Sequence, residues 1–233
     1  MDRKFFDRLI VGVVVLALGV FAAGCGSSKS KSDGGSTADV NSAGLDVNGC
    51  KPATQPPAKK VKLKKPSERL DRSRRYTAVF QTNCGEFSVL LDVKRNPKTA
   101  ASFAYLVKRD VYVNTWFHRI VSDFVAQGGD PLGTGAGDAG YKVTEKPRGK
   151  YKINTVAMAK GGNEPPGTSG SQFYIVTGQQ GTALPPDYAI AGTVVNGADT
   201  IQRIAGYAAP QGAQSETPTG VVVITKATLL IVE

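Results

Sequence analysis

Apolar and polar residues alternate with a period of two from Tyr76 to Gln81 and again from Glu86 to Val93, on either side of Asn83-Cys84-Gly85. That period puts successive side chains on opposite faces of a strand, and Asn and Gly suit a tight turn, so the stretch predicts a β-hairpin. The period then changes. After Asn96-Pro97, Ala100, Phe103, Ala104, Leu106 and Val107 recur at helical spacing, with Asn96 as N-cap and Pro97 at the first helical position. Trp116–Val121 and Phe124–Gln127 read as strands, followed by a glycine-rich loop from Gly128 to Gly140. Thr155–Ala159, Phe173–Thr177 and Ala189–Val195 are three more strands, Ala198–Ile204 is a short helix with Ile201 and Ile204 inward, and Val221–Val232 is a last strand. Many short strands, two helices and no alternation of strand and helix predict a mainly β barrel capped by helices.

The first 75 residues carry a different pattern. Residues 1–8 hold Arg3, Lys4 and Arg8 beside Asp2 and Asp7, and residues 9–23 are free of charge, ending in Ala22-Ala23-Gly24-Cys25. A basic start, an apolar run too short for a permanent span of about 20 residues, and small residues before a cut describe a secretory signal over 1–24. Cys25 after small residues resembles the bacterial lipobox, although Ala22 stands where that pattern most often has Leu. The resemblance implies lipidation at Cys25 and a cell-membrane location on the extracytoplasmic face; the alternative is an ordinary signal peptide with Cys25 incidental. Residues 25–75 are rich first in Ser and Gly, then in Pro and Lys, and are expected to be a flexible basic tether. Residues 76–233 remain for one compact domain, expected to be a monomer.

Composition alters this picture at three points. Lys and Arg exceed Asp and Glu by ten over the 233 residues, but residues 25–75 hold 12 basic and 5 acidic side chains against 14 and 12 in residues 76–233. The folded domain is therefore close to neutral, which argues against nucleic acid as its partner. A basic segment beside a lipid anchor suits anionic headgroups, or is a solvated linker kept extended by self-repulsion. One His and three Cys leave little room for a metal cluster. With Cys25 lipidated, Cys50 and Cys84 remain as an even pair in an oxidising compartment, and a disulfide between them is expected over two free thiols.

Two weak motifs are set aside. Gly135-Ala136-Gly137-Asp138-Ala139-Gly140 fits a dinucleotide fingerprint, but no helix opens there and no βαβ unit surrounds it, so it reads as a surface loop. Ser171 and His118 could be assembled into a hydrolase triad, but Ser171 lacks the nucleophile elbow and Gly170-Ser171-Gln172 opens a strand.

Two blocks are informative. Phe117-His118-Arg119 through Phe124-Val125-Ala126-Gln127-Gly128-Gly129-Asp130, and Gly170-Ser171-Gln172-Phe173-Tyr174-Ile175 after Val156-Ala157-Met158-Ala159, closely resemble the two signature blocks of the cyclophilins, peptidyl-prolyl cis-trans isomerases. The similarity covers essentially all of 76–233. It implies a closed eight-stranded antiparallel barrel capped by two α-helices, and an enzyme that needs no metal or other cofactor.

The chemistry explains the residue types. X–Pro rotation must break amide resonance, a barrier of about 18–20 kcal/mol, and makes or breaks no covalent bond. Catalysis therefore means binding the twisted amide better than either planar isomer. The resemblance implies that Arg119 donates to the imide nitrogen as its lone pair returns, that Gln127 holds the substrate carbonyl, and that Phe124, Val125, Tyr174 and Leu184 form the proline pocket. It further implies that Ala159 and Lys160 pair with the extended peptide, and that Gln172 and Tyr188 line adjoining sides. Lys160 stands where the family has Asn, Ala183 where many relatives have Trp, Tyr188 where they have His and Ala191 where Phe is usual, and the loop Gly161–Thr168 is longer; these departures bear on peptide preference and cyclosporin binding. The partners expected are proline-containing exported polypeptides. The alternative is a non-catalytic proline-peptide-binding or scaffolding module at the cell surface.

Overall fold

The computed structural model describes residues 44–210, 213 and 215–232; the expected signal peptide and Cys25 lie outside them. In chain order the elements are β1 (Arg75–Thr82), β2 (Gly85–Leu91), α1 (Pro97–Lys108), β3 (Thr115–Trp116), β4 (Arg119–Val121), β5 (Val125–Gly128), β6 (Val143–Thr144) and β7 (Thr155–Met158). There follow β8 (Thr168–Ser169), β9 (Phe173–Val176), α2 (Gln179–Thr182), β10 (Ile190–Asn196), α3 (Ala198–Ala205) and β11 (Val223–Val232). Nine strands form one curled antiparallel sheet in the order β3-β11-β1-β2-β10-β7-β9-β5-β4, and β6 pairs with β8 apart from it.

The hairpin forms as its alternation dictates: Tyr76, Ala78 and Phe80 point into the core, and Thr82 pairs with Gly85 across the two-residue turn. Phe80 stacks on Phe87 with ring centroids 5.0 Å apart and meets Phe103 of α1 edge-on at 6.0 Å, so the hairpin and helix share one aromatic centre with Tyr112 and Phe173. Helix α1 starts at Pro97 as expected, but Asn96 does not cap it with its side chain. The Asn96 amide donates instead to Asp92 and to the Arg148 carbonyl. The free N–H groups of Lys98 and Thr99 donate to the carboxylate of Glu145, 3.3 and 2.9 Å away. A carboxylate satisfies those donors and suits the positive end of the helix.

At three points the structure departs from expectation or meets it only in a coarser form. The run Trp116–Val121 is two strands, because Trp116 pairs with Val223 of β11 whereas Arg119 pairs with Gln127 of β5. The chain passes from one edge of the sheet to the other through Phe117-His118. The expected closed eight-stranded barrel with two helices is found in the coarser form of a nine-stranded curled sheet with three helices, and no ladder joins β3 to β4 among the described residues. Finally, residues 44–75 are not free of the domain. They lack regular structure, yet Lys59 N–H donates to Pro131 O at 2.9 Å, Leu63 N–H to Ala139 O at 2.8 Å and Lys51 N–H to Asn83 O at 2.9 Å. Val61, Leu63 and Leu70 pack on the core. The segment is a strap. Composition signalled disorder because the apolar side chains are few, but backbone bonds to loops hold it.

Cys50 and Cys84 are joined in a disulfide with Cα atoms 4.1 Å apart, which fixes the start of the strap to the hairpin turn.

Candidate functional site

Alternation along β5, β9 and β7 separates two apolar clusters. Ala126, Phe173, Ile175, Val156 and Met158 face the main core, while Val125, Tyr174, Val176 and Ala157 face outward and gather a second cluster. Tyr151 and Ile190 complete it, and Phe124, Ala159, Leu184 and Tyr188 lie partly buried on it. All four residues expected to form the proline pocket belong to this cluster. So do Ala159 and Tyr188.

Strand register adds the polar groups. Arg119 lies opposite Gln127, Gln127 opposite Tyr174 and Tyr174 opposite Ala157, so four adjacent strands contribute one row of side chains to the same outer face. Gln127 accepts from Arg119 Nη1 at 3.4 Å and donates to Gln172 Oε1 at 3.0 Å. Gln172 in turn donates to the carbonyls of Gly135 and Gly137, both at 2.9 Å. The guanidinium carbon of Arg119 stands 5.6 Å from the centroid of the Phe124 ring, within the range of a cation–π contact.

Below this row a cleft of about 290 Å³ is lined by Gln127, Gln172, Gly137, Ala159, Lys160 and Glu164, among others. The glycine loop read as plain surface forms one wall of it. Asp130 folds that wall: its buried carboxylate accepts from the N–H groups of Leu132, Thr134 and Gly135 at 2.6–2.9 Å. Gly129, at φ +78°, passes so close to Ser171 O that a Cβ would sit 2.8 Å from it. The Ser171 hydroxyl is buried and donates to Gly129 O at 2.9 Å, a structural bond. The opposite wall is held by Glu164, which accepts from Gly161 N–H at 2.7 Å and pairs with Lys142. The Lys142 bond, then the Gly161 bond, lower the pKa of Glu164 below its ordinary value.

Lys160 extends over the ring of Tyr188, 5.6 Å from its centroid. Tyr188 meets Tyr174 edge-on at 5.5 Å. Burial pushes the Tyr174 phenol far above its ordinary pKa, with Tyr151 and Tyr188 adding to the shift. Its ring is a wall of the apolar cluster, and its buried hydroxyl stays protonated.

Two contributors were not visible in the sequence. Glu216 places its carboxylate against Nε of Arg119 and 3.2 Å from Nη2, and its backbone carbonyl accepts from Ile120 N–H of β4 at 3.2 Å. It lies 97 positions from Arg119 in an irregular loop, where no periodicity marks it. Tyr151 accepts from Tyr188 N–H and donates to Tyr188 O at 3.0 and 2.8 Å, fixing the rim of the pocket. Its neighbours Lys150 and Lys152 are charged and mark no apolar face, so nothing in the sequence hinted at this.

An apolar bowl beside a fixed guanidinium and an amide, with a groove alongside, can bind an extended chain and hold both sides of one of its amides. The comparisons agree. Residues 77–229 match the model of the cyclophilin type peptidyl-prolyl cis-trans isomerase/CLD family. The chain is 37% identical over 128 residues to the peptidyl-prolyl cis-trans isomerase CYP18-2 of Arabidopsis thaliana, covering 54% of this chain and 77% of that one. It is also 37% identical over 128 residues to the peptidyl-prolyl cis-trans isomerase-like 1 of Aspergillus oryzae, covering 54% and 79%. A crystal structure of a Cryptosporidium parvum cyclophilin type peptidyl-prolyl cis-trans isomerase superposes with a TM-score of 0.60 at 28% identity, covering 68% of this chain and 98% of that one. With the signature row of Arg119, Gln127 and Tyr174 on the outer face of such a sheet, the chain belongs to the cyclophilin-type peptidyl-prolyl cis-trans isomerases.

Proposed function

We propose that this isomerase acts on exported polypeptides from the extracytoplasmic face of the cell membrane, held there through lipidated Cys25, and that Arg119, Phe124 and Gln127 carry the catalysis. The proline ring enters the bowl of Phe124, Val125, Tyr174 and Leu184, where burial of its methylene groups supplies affinity. Gln127 donates to the carbonyl on one side of the bond. Arg119 donates to the imide nitrogen, whose lone pair is available only when the amide is twisted, so this interaction favours the transition state over both planar isomers. Ala159 N–H already donates to Gln172 O at 2.9 Å, so of its two backbone groups the carbonyl is the one an extended ligand can reach. Lys160, Gln172 and Tyr188 flank that ligand along the groove.

The observation that carries the reading is the cross-strand row itself, in which Arg119 is aimed by Gln127 on one side and stacked over Phe124 on the other. The test is isomerisation of a proline tetrapeptide by the full chain and by Arg119→Ala, with peptide affinity measured in parallel. For location, lipid labelling of the parent and of Cys25→Ala should differ: loss of label and retention as a precursor, or release from membranes, is the expected result. Unchanged labelling removes the anchor.

A further inference from the structure

The strap carries charge in a fixed arrangement. From Lys59 to Arg75 the sequence holds nine basic side chains and two acidic ones, Glu68 and Asp71. Lys59 Nζ donates to the Asp110 carbonyl at 3.2 Å and to that of Val113, just past the C-terminal end of α1. Lys65, Arg69 and Arg72 line a groove of about 420 Å³ together with Pro97, Lys98 and Ala101 of its first turns. The strap thus runs back along the helix. Within it Val61 and Leu63 turn toward the core while Lys60, Lys62 and Lys64 are exposed, the alternation of an extended chain. Alternate side chains of such a chain stand roughly 7 Å apart. Arg72 Nη2 donates to Lys94 O at 3.0 Å and carries the row onto an adjoining hollow lined by Arg74, Arg75, Lys94 and Arg95. The acidic Asp92 there is engaged by Arg95 at 2.8 Å.

We propose that this basic face docks the enzyme on anionic phospholipid. A polynucleotide would be the other polyanion, but residues 51–75 contain no aromatic side chain on which a base could stack. A flexible tether would lose conformational entropy for each lysine brought to a surface; here the backbone is already ordered and the charges stand in place. None of these residues lines the cleft or the proline bowl, so docking leaves the active site open to clients. The inference goes beyond the anchor at Cys25 and does not depend on it. A single acyl chain gives marginal, reversible binding, and a polybasic patch is the kind of second signal that makes it stable.

The test is co-sedimentation of the full chain with phosphatidylcholine vesicles and with vesicles that also contain phosphatidylglycerol. The apolar N-terminal run and any acyl chain partition into both, so only the increment due to phosphatidylglycerol reports on the basic face. The increment should be at least about tenfold, and should vanish near 1 M salt, where the Debye length is about 3 Å. The triple variant Lys60→Glu, Lys62→Glu, Lys64→Glu should lose it while keeping the parental isomerisation rate, the control for folding. Equal partition on both vesicles, an increment that survives high salt, or one that persists in the active triple variant overturns the proposal. So does tighter binding of single-stranded RNA than of phosphatidylglycerol vesicles. If the triple variant is inactive, the salt dependence of the parent decides. Failure of the anchor would show instead as lost binding to phosphatidylcholine with the increment intact.

Discussion

The guanidinium of Arg119 has five N–H donors, and three are engaged: Nε and one hydrogen of Nη2 by Glu216, one hydrogen of Nη1 by Gln127. Two remain for a ligand, one on each terminal nitrogen. Arg119→Ala removes a charge-assisted donor that acts mainly on the twisted amide, so kcat/KM should fall by about 10²–10³ while peptide affinity changes far less. Arg119→Lys should restore little, because an ammonium on a flexible stem does not reproduce the planar fork. Near-parental isomerisation by folded Arg119→Ala would contradict the mechanism. Glu216 is about half exposed, at 54% of its side-chain area. An exposed pair contributes about 0–1 kcal/mol, so Glu216→Ala should cost no more than about fivefold in kcat/KM. A loss as large as that of Arg119→Ala would instead make Glu216 part of the catalytic machinery. His118, beside Arg119, is the one histidine of the chain. Burial lowers its pKa, opposed by Asp130. The unfolded chain then takes up the proton first, so this contribution to stability is complete above about pH 6.5 and is lost as pH falls from there toward the depressed folded value. A single histidine NMR titration with a midpoint below 6.5, and a smaller fall in denaturation midpoint between about pH 7 and pH 5 for His118→Gln, are the expected results.

Among the elements, the hairpin and α1 stand where alternation and helical spacing put them, and β9 and β10 fall within the strand-like runs Phe173–Thr177 and Ala189–Val195 to within a residue. That Phe124, Val125 and Tyr174 share one outer face was legible too, because the two signature blocks lie on strands that pair side by side. What the sequence hid are partnerships between distant irregular segments. Glu145 caps α1 from 46 positions away, Glu216 reaches Arg119 from a loop, and α2 is a single turn too short to show a period. The strap is the largest omission. The backbone N–H groups of Lys59 and Leu63 donate to the Pro131 and Ala139 carbonyls, at either end of the loop whose Gly135 and Gly137 carbonyls orient Gln172. Gln172 holds Gln127, and Gln127 meets Arg119. A chain cut to residues 76–233 loses this support together with Val61, Leu63 and Leu70. It should unfold at lower denaturant than the full chain and show a reduced kcat with the proline pocket still able to bind peptide. Equal stability and rate for the two chains would return residues 44–75 to the status of a tether.

At the scale of the whole molecule, Asn83 and the disulfide beside it join three parts of the chain. Asn83 Nδ2 donates to Lys51 O at 2.7 Å and to Val221 O at 3.1 Å, and its Oδ1 accepts from Val223 N–H at 2.8 Å. The strap, the hairpin turn and the start of β11 therefore meet at one point, and Tyr207, just after α3, donates to Asp46 at the same end of the strap. Cys50 and Cys84 are buried there and separated by 34 positions. Closing a loop of that length restricts the unfolded chain by about 4 kcal/mol in the chain-entropy account. A domain of this size shifts its Tm by about 2–3 °C for each kcal/mol. Replacing both cysteines, Cys50→Ala with Cys84→Ala, should therefore lower Tm by roughly 10 °C. The unfolding should remain one transition, because the strap shares the core of the sheet and cannot leave without exposing Val61, Leu63 and Leu70. Isomerisation at room temperature should be unaffected, since neither cysteine touches the cleft. A second, earlier transition would show that the strap opens on its own, and an unchanged Tm would show that backbone bonds alone fix it.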